Sequence, residues 1–238
     1  MGHVMHLIPA VVISGIVLLY TATTKAAQGN LTDLNGTSRT PGRSIACRAA
    51  ADVIFILDAS AKVVDESSYQ KVVDLASAVV RSFIIGDADV LFGGVTYSDD
   101  AKKLFDIKDF KTHDDLTKAL KDSHLLNMSS RPDLGLDFVG YHEMFSIDLG
   151  GRYNAAKLVI VLLAGKSERS DLTKEAAKNL ANEGVVIIAA GIGSDVEPEL
   201  VDIASSELNV FKVKSFGHLN QLIKEITSRV CQVSKIKD

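Results

Sequence analysis

From Ala51 onward, short unbroken apolar runs alternate with longer stretches in which apolar residues recur every three or four positions. The runs Val53–Leu57, "KLVIVLLAG" (Lys157–Gly165) and "VVIIAAGIG" (Val185–Gly193) read as strands buried on both faces, and Val90–Tyr97 reads as a further strand. Lys103–Ile107 alternates apolar with polar and fits an edge strand, and Val210–Val213 is a short strand. Between them, Ser67–Ile84 sets Val72, Val73, Ala76, Val79, Val80 and Phe83 at helical spacing, with Asp65, Glu66, Ser67 and Ser68 as acidic and capping residues at its start. Further helices are predicted over Asp114–Lys121, over Leu134–Phe145 behind Pro132 and Asp133, and over Thr173–Glu183, closed by Gly184. Pro198–Ser205 and Phe216–Cys231 complete the set.

Buried strands separated by helices require a mainly parallel sheet covered on both sides. The expected fold is therefore α/β: a doubly wound, mainly parallel six-stranded sheet with helices on both faces. In such sheets ligands bind outside the carboxyl ends of the strands, at a topological switch point. The first strand, in "DVIFILDASAKVV", ends on Asp58, with Ser60 and Lys62 at the next alternate positions. Chemistry is expected at that strand end.

Charge and composition narrow the class. A net charge of −4 leaves no basic excess to neutralise phosphates, so nucleic acid is not an expected partner. An apolar content of 47% supports a sizeable core. The first 30 residues hold an apolar stretch, roughly 6–20, followed by small residues up to Ala26 and Ala27. That is the layout of a signal peptide over 1–27, and the same stretch left uncleaved would act as an anchor. Residues 28–46 form a polar lead-in. Sequons at Asn30, Asn35 and Asn127 agree with export and make these asparagines glycosylation candidates. No membrane contact is expected once the signal peptide is removed.

Two cysteines, Cys47 and Cys231, bracket the patterned region. In an exported chain they are expected to form a disulfide joining the domain ends. Two unrelated thiols are the alternative. As a clasp they would contribute about 5 kcal/mol on chain-entropy reasoning. A tail, 232–238, follows.

No nucleophile elbow or phosphate-binding loop occurs. Gly191 and Gly193 hint at a dinucleotide fingerprint, but its third glycine position holds Val196. The histidines lack metal-ligand spacing. No catalytic residue and no cofactor are therefore expected.

Several segments in order carry a resemblance: "DVIFILDAS", "VLFGGVTYSDDAKKLF", "LGLDFV", "KLVIVLLAGKS" and "VVIIAAGIG". From roughly Ala51 to Cys231, within a domain expected over 47–231, the chain resembles the von Willebrand factor type A domain family, in its extracellular matrix and adhesion branch. The resemblance implies the doubly wound fold and, in many extracellular members, a cysteine pair joining the domain ends. It also implies a metal-ion-dependent adhesion site: D-x-S-x-S after the first strand, a threonine from a later loop and an aspartate after the fourth strand. Asp58 and Ser60 match that motif, and Ser130 aligns near the threonine. Lys62 replaces the second serine and Ala164 replaces the aspartate.

A hard dication needs oxygen ligands and compensating charge. Here an oxygen ligand and a carboxylate are gone and an ammonium has arrived. Like unit charges about 4 Å apart cost roughly 4 kcal/mol at an effective dielectric of 20, and a dication doubles this. The site is expected to be degenerate and metal-free. Lys62 then either points to solvent or folds back to pair with Asp58. The expected function is a secreted, non-enzymatic matrix or adhesion protein that binds another extracellular protein. A tethered or fluid-phase recognition protein with metal-dependent binding is the alternative, and the oligomeric state is open.

Overall fold

A computed structural model describes residues 50–235. Six strands form one sheet: β1 (Ala51–Asp58), β2 (Val90–Tyr97), β3 (Ala101–Phe105), β4 (Ala156–Leu163), β5 (Val186–Ile192) and β6 (Val210–Val213). Their order is β3-β2-β1-β4-β5-β6, and every pairing is parallel except the β2–β3 hairpin at one edge. The chain winds outward from β1 in one direction to β3 and from β4 in the other to β6. The switch point thus lies between β1 and β4, whose register pairs Leu57 with Leu162.

Period-two alternation divides the core into two layers. Val53, Phe55 and Leu57 of β1 face the layer covered by α1 (Glu66–Arg81), α2 (His113–Lys121) and α6 (Asn220–Ser234). Ile54 and Ile56 face α3 (Pro132–Tyr141), α4 (Ser170–Asn182) and α5 (Glu197–Ile203). Phe55 and Phe92 stack with centroids 5.5 Å apart in the first layer. In the second, α3 sits so close to β1 that a Cβ at Gly135 would fall 2.6 Å from the Ile56 side chain. Only glycine permits that approach.

The expected elements are present, with shifted ends. The helix expected over Leu134–Phe145 begins at Pro132 and stops at Tyr141, because Glu143 turns to φ 46, outside the helical region. The last helix starts at Asn220, preceded by a 3₁₀ turn over Phe216–His218. The third strand occupies Ala101–Phe105, two residues before its expected place. Helix α1 is capped by Asp65, whose side chain accepts from the Ser68 N–H at 2.7 Å.

At the amino end of the sheet, Asp52 is fully buried and Arg152 closes over it. The Arg152 backbone N–H and Nε donate to the two carboxylate oxygens at 2.7 and 2.8 Å. The remaining guanidinium nitrogens donate to the carbonyls of Ala51, Asp87 and Asp89. Burial still pushes the Asp52 carboxyl above its ordinary proton affinity, against the pull of Arg152. This is a structural latch at the end opposite the candidate site.

Candidate functional site

The carboxyl ends of β1 and β4 meet at Asp58. Its side chain is completely buried and fully engaged. Oδ1 accepts from the Ser60 N–H at 2.9 Å and from Ser60 Oγ at 2.6 Å, and Oδ2 accepts from the Ala164 N–H at 2.9 Å. The last bond spans the switch point. Ala164, expected to stand where the family has its aspartate, offers Asp58 a backbone amide donor. Burial holds the Asp58 carboxyl above the usual carboxylate range, and its bonds to Ser60 and Ala164 only partly offset this.

Local sequence shapes this arrangement. Ser60 caps a 3₁₀ turn over Ala61–Val63, its Oγ accepting from the Lys62 N–H at 3.3 Å while donating to Asp58. Val64 then takes φ 75 and ψ −56, and the Asp65 N–H donates to the Val63 carbonyl at 2.9 Å. That is a γ-turn in its strained form, centred on a β-branched residue that is 71% exposed. Lys62 is exposed and makes no ion pair with Asp58, so of the two arrangements expected for it, the outward one is found. Its aliphatic stem lies over Gly165 in the loop after β4.

The neighbouring loop is laced to this turn. The Ala59 carbonyl accepts from the N–H groups of Leu126 and Asn127, and the Ala61 N–H donates to the Met128 carbonyl at 2.8 Å. Ser98 Oγ accepts from the Met128 N–H. Ser130 follows, buried, its carbonyl accepting from the Glu168 N–H at 3.0 Å. Its Oγ has no hydrogen-bond partner.

Sequence reading missed two participants. Tyr97, at the end of β2, lies beneath the site, and its hydroxyl donates to the Leu162 carbonyl at 3.4 Å. Burial first and then the Asp58 charge push its phenol well above the ordinary value. Ser130 is near enough to influence that proton without reaching bonding geometry. Glu199, buried on α5, accepts from the N–H and the Oγ of Ser167, locking the β4–α4 loop. Tyr97 was legible as the last residue of an apolar run. Glu199 carried no signal, because its burial depends on how a short helix is docked.

Asp58, Ser60, Ser130 and Ala164 are thus brought together, with Lys62 on the rim. Their chemistry does not fit a divalent cation well. The one carboxyl gathered here, Asp58, already has both oxygens accepting from donors, and burial works against its charged form. Among the described residues no three His, Cys, Asp or Glu side chains converge as a cation site. Asn127 is exposed on the same rim, whereas Asn30 and Asn35 lie outside the described residues. Cys231 sits on α6 against the first core layer, and its expected partner Cys47 lies outside the described residues, as does the leader. No described helix is long and apolar enough to cross a membrane.

A family profile described as von Willebrand factor type A domain matches residues 52–225. The human collagen alpha-6(VI) chain is 30% identical over 187 residues, covering 78% of this chain and 8% of its own length. Human matrilin-1 is 28% identical over 185 residues, covering 77% of this chain and 36% of its own. Among solved structures, proximal thread matrix protein 1 from the mussel byssus superposes with a TM-score of 0.72 at 32% identity, covering 78% of this chain and 49% of that one. A second structure of the same mussel protein, TM-score 0.71 and 31% identity, is described as having a zinc-occupied MIDAS motif. The chain spans less than half the length of each of these relatives. They are extracellular matrix proteins, and its location is theirs, secreted and extracellular.

Proposed function

The chain belongs to the von Willebrand factor type A domain family, and from that premise we propose that it is a non-enzymatic matrix protein whose A-type domain binds another extracellular protein without metal. The observation that carries this reading is the state of Asp58. Both of its oxygens are taken by donors from Ser60 and Ala164, burial works against its charged form, and Ala164, expected where the family has its second carboxylate, brings only a backbone amide. The stem of Lys62 occupies the space over Gly165 beside the same loop. Adhesion then rests on surface complementarity rather than on an acidic partner group completing a cation's shell.

The second reading is metal-dependent recognition. Two observations favour it: the buried, unpartnered Ser130 Oγ, an oxygen aimed at no donor, and the zinc described at the corresponding motif of the mussel relative. Solid-phase binding of the secreted chain to immobilised collagen and to extracted tissue matrix separates the two. Retention that is unchanged by a chelator supports the metal-free reading. Retention lost with chelator and restored by Mg²⁺ or Zn²⁺ supports the other.

In either case a disulfide between Cys47 and Cys231 is proposed to tie the domain ends. Partial reduction followed by peptide mapping tests it.

A further inference from the structure

We infer that Asn127 carries an N-linked glycan, and that this glycan covers the rim of the Asp58 crevice against a macromolecular partner. The inference rests on the export reading above. Asn127-Met128-Ser129 is a sequon, and the fold presents it on the surface, with Asn127 and Met128 both exposed. Asn127 takes φ 57, a left-handed conformation that asparagine tolerates. Its side-chain amide makes no hydrogen bond among the described residues, so a sugar there displaces nothing. Glycosylation acts on the nascent chain: the amide nitrogen of Asn127 displaces a polyprenyl pyrophosphate from the anomeric carbon of a lipid-linked oligosaccharide and releases one proton. The fold need only leave room for the product, and it does.

The position decides the consequence. The backbone of Asn127 is held rigidly, its N–H donating to the Ala59 carbonyl at 3.0 Å, and the next residue is bonded on both sides to the crevice walls, through Ser98 and Ala61. The root of the glycan is thereby fixed next to the turn carrying Lys62. Two apolar side chains are bare on these segments: Met128, the next residue, at 53% exposure, and Val64, in the turn whose Ala61 is bonded to Met128, at 71%. Exposed apolar groups grouped on one rim are normally a partner site or a liability. A glycan rooted beside Met128, on the loop bonded to Ala59 and Ala61, makes this end of the sheet a shielded surface, so a matrix partner docks on the sides of the domain.

The test uses the full chain expressed in secreting eukaryotic cells. Enzymatic release of N-glycans leaves aspartate where a glycosylated asparagine stood, and peptide mass mapping then reports the occupancy of residue 127. Shielding is read as the rate at which a bulky polyethylene-glycol amine reagent labels Lys62, relative to exposed Lys178 on α4. The expected result is an occupied Asn127, with a Lys62 to Lys178 labelling ratio that rises several-fold after native deglycosylation and is equally high in Ser129→Ala. Secreted chain with a bare Asn127 overturns the inference and leaves the export reading standing. Chain retained in the cells with residue 127 bare overturns both. Occupancy with an unchanged labelling ratio overturns the shielding.

Discussion

The Lys62 stem lies across Gly165: a Cβ built on residue 165 would fall 3.1 Å from the Lys62 Cβ and 3.2 Å from its Cγ and Cδ. A substitution in the first loop and a glycine in the loop after β4 are therefore packed against each other at the switch point. Gly165→Ala is expected to destabilise the domain. In a Lys62→Ala background, without the Cγ and Cδ, part of that loss should vanish. A double-mutant cycle by denaturant unfolding should give a coupling of about 0.5–1 kcal/mol. Additive effects would mean that the stem moves freely and fills no space there.

The Asp52–Arg152 latch should matter more than any exposed ion pair. Removing Arg152 leaves a buried carboxylate without its cation and frees carbonyl groups at the amino end of the sheet. Arg152→Ala is expected to cost about 3–5 kcal/mol. Arg169→Ala, which breaks the exposed pair with Asp171, is expected to change stability by less than about 1 kcal/mol. Urea melts of the two variants check the contrast.

Asp58 predicts a pH dependence of definite sign. Its folded proton affinity is raised, so between the ordinary value of 3.8 and the raised folded value the native state holds more protons than the unfolded chain. Stability contributed by this group is present below that window and declines as pH rises through it. The melting temperature of wild type minus that of Asp58→Asn should therefore be most favourable to wild type at about pH 3–4 and shrink toward neutrality. A difference that grows with pH would show that Asp58 is held ionised by its three donors.

Ser130 offers a separate probe of the same crevice. Its Oγ is buried without a partner, a state that carries a desolvation penalty. Ser130→Ala should stabilise the domain by about 1 kcal/mol, measured by thermal unfolding. A clear destabilisation would mean that the hydroxyl holds something when the protein is in solution.

Val64 stores strain in its γ-turn. Glycine at this position removes the Cβ penalty but adds unfolded-state entropy, so Val64→Gly is expected to raise stability by a net of about 0.5–1 kcal/mol. A loss of stability would show that the neighbouring bonds of Ala61 and Asp65 depend on the valine.

Much of this was legible along the chain, and the reason is locality. The parallel sheet follows from unbroken apolar runs, and Asp58, Ser60 and Lys62 lie within one short loop, so their spacing could be read directly. Ala164 could be placed at the strand end from the sequence because it sits immediately after an obvious apolar run. The outward position of Lys62 was not legible, since its stem packs over Gly165 of a loop about a hundred residues away in the chain. Arg152 lies a hundred residues from Asp52 and joins it only through sheet closure. Glu199 and Tyr97 likewise reach the crevice only once their elements are docked. Helix ends slipped for a related reason: apolar periodicity continues past Tyr141 to Phe145, but the backbone turns at Glu143.

Asp58 and its neighbours are proposed not to support metal-dependent adhesion. Calorimetric titration of Mg²⁺, Mn²⁺ and Zn²⁺ into the oxidised full chain tests it most directly, beside a Lys62→Ser, Ala164→Asp variant that restores the missing ligands. No saturable heat is expected at the natural site, and a saturable signal is expected in the restored variant. Saturable binding by the natural chain that is abolished by Asp58→Asn would contradict it and return metal-dependent recognition to first place.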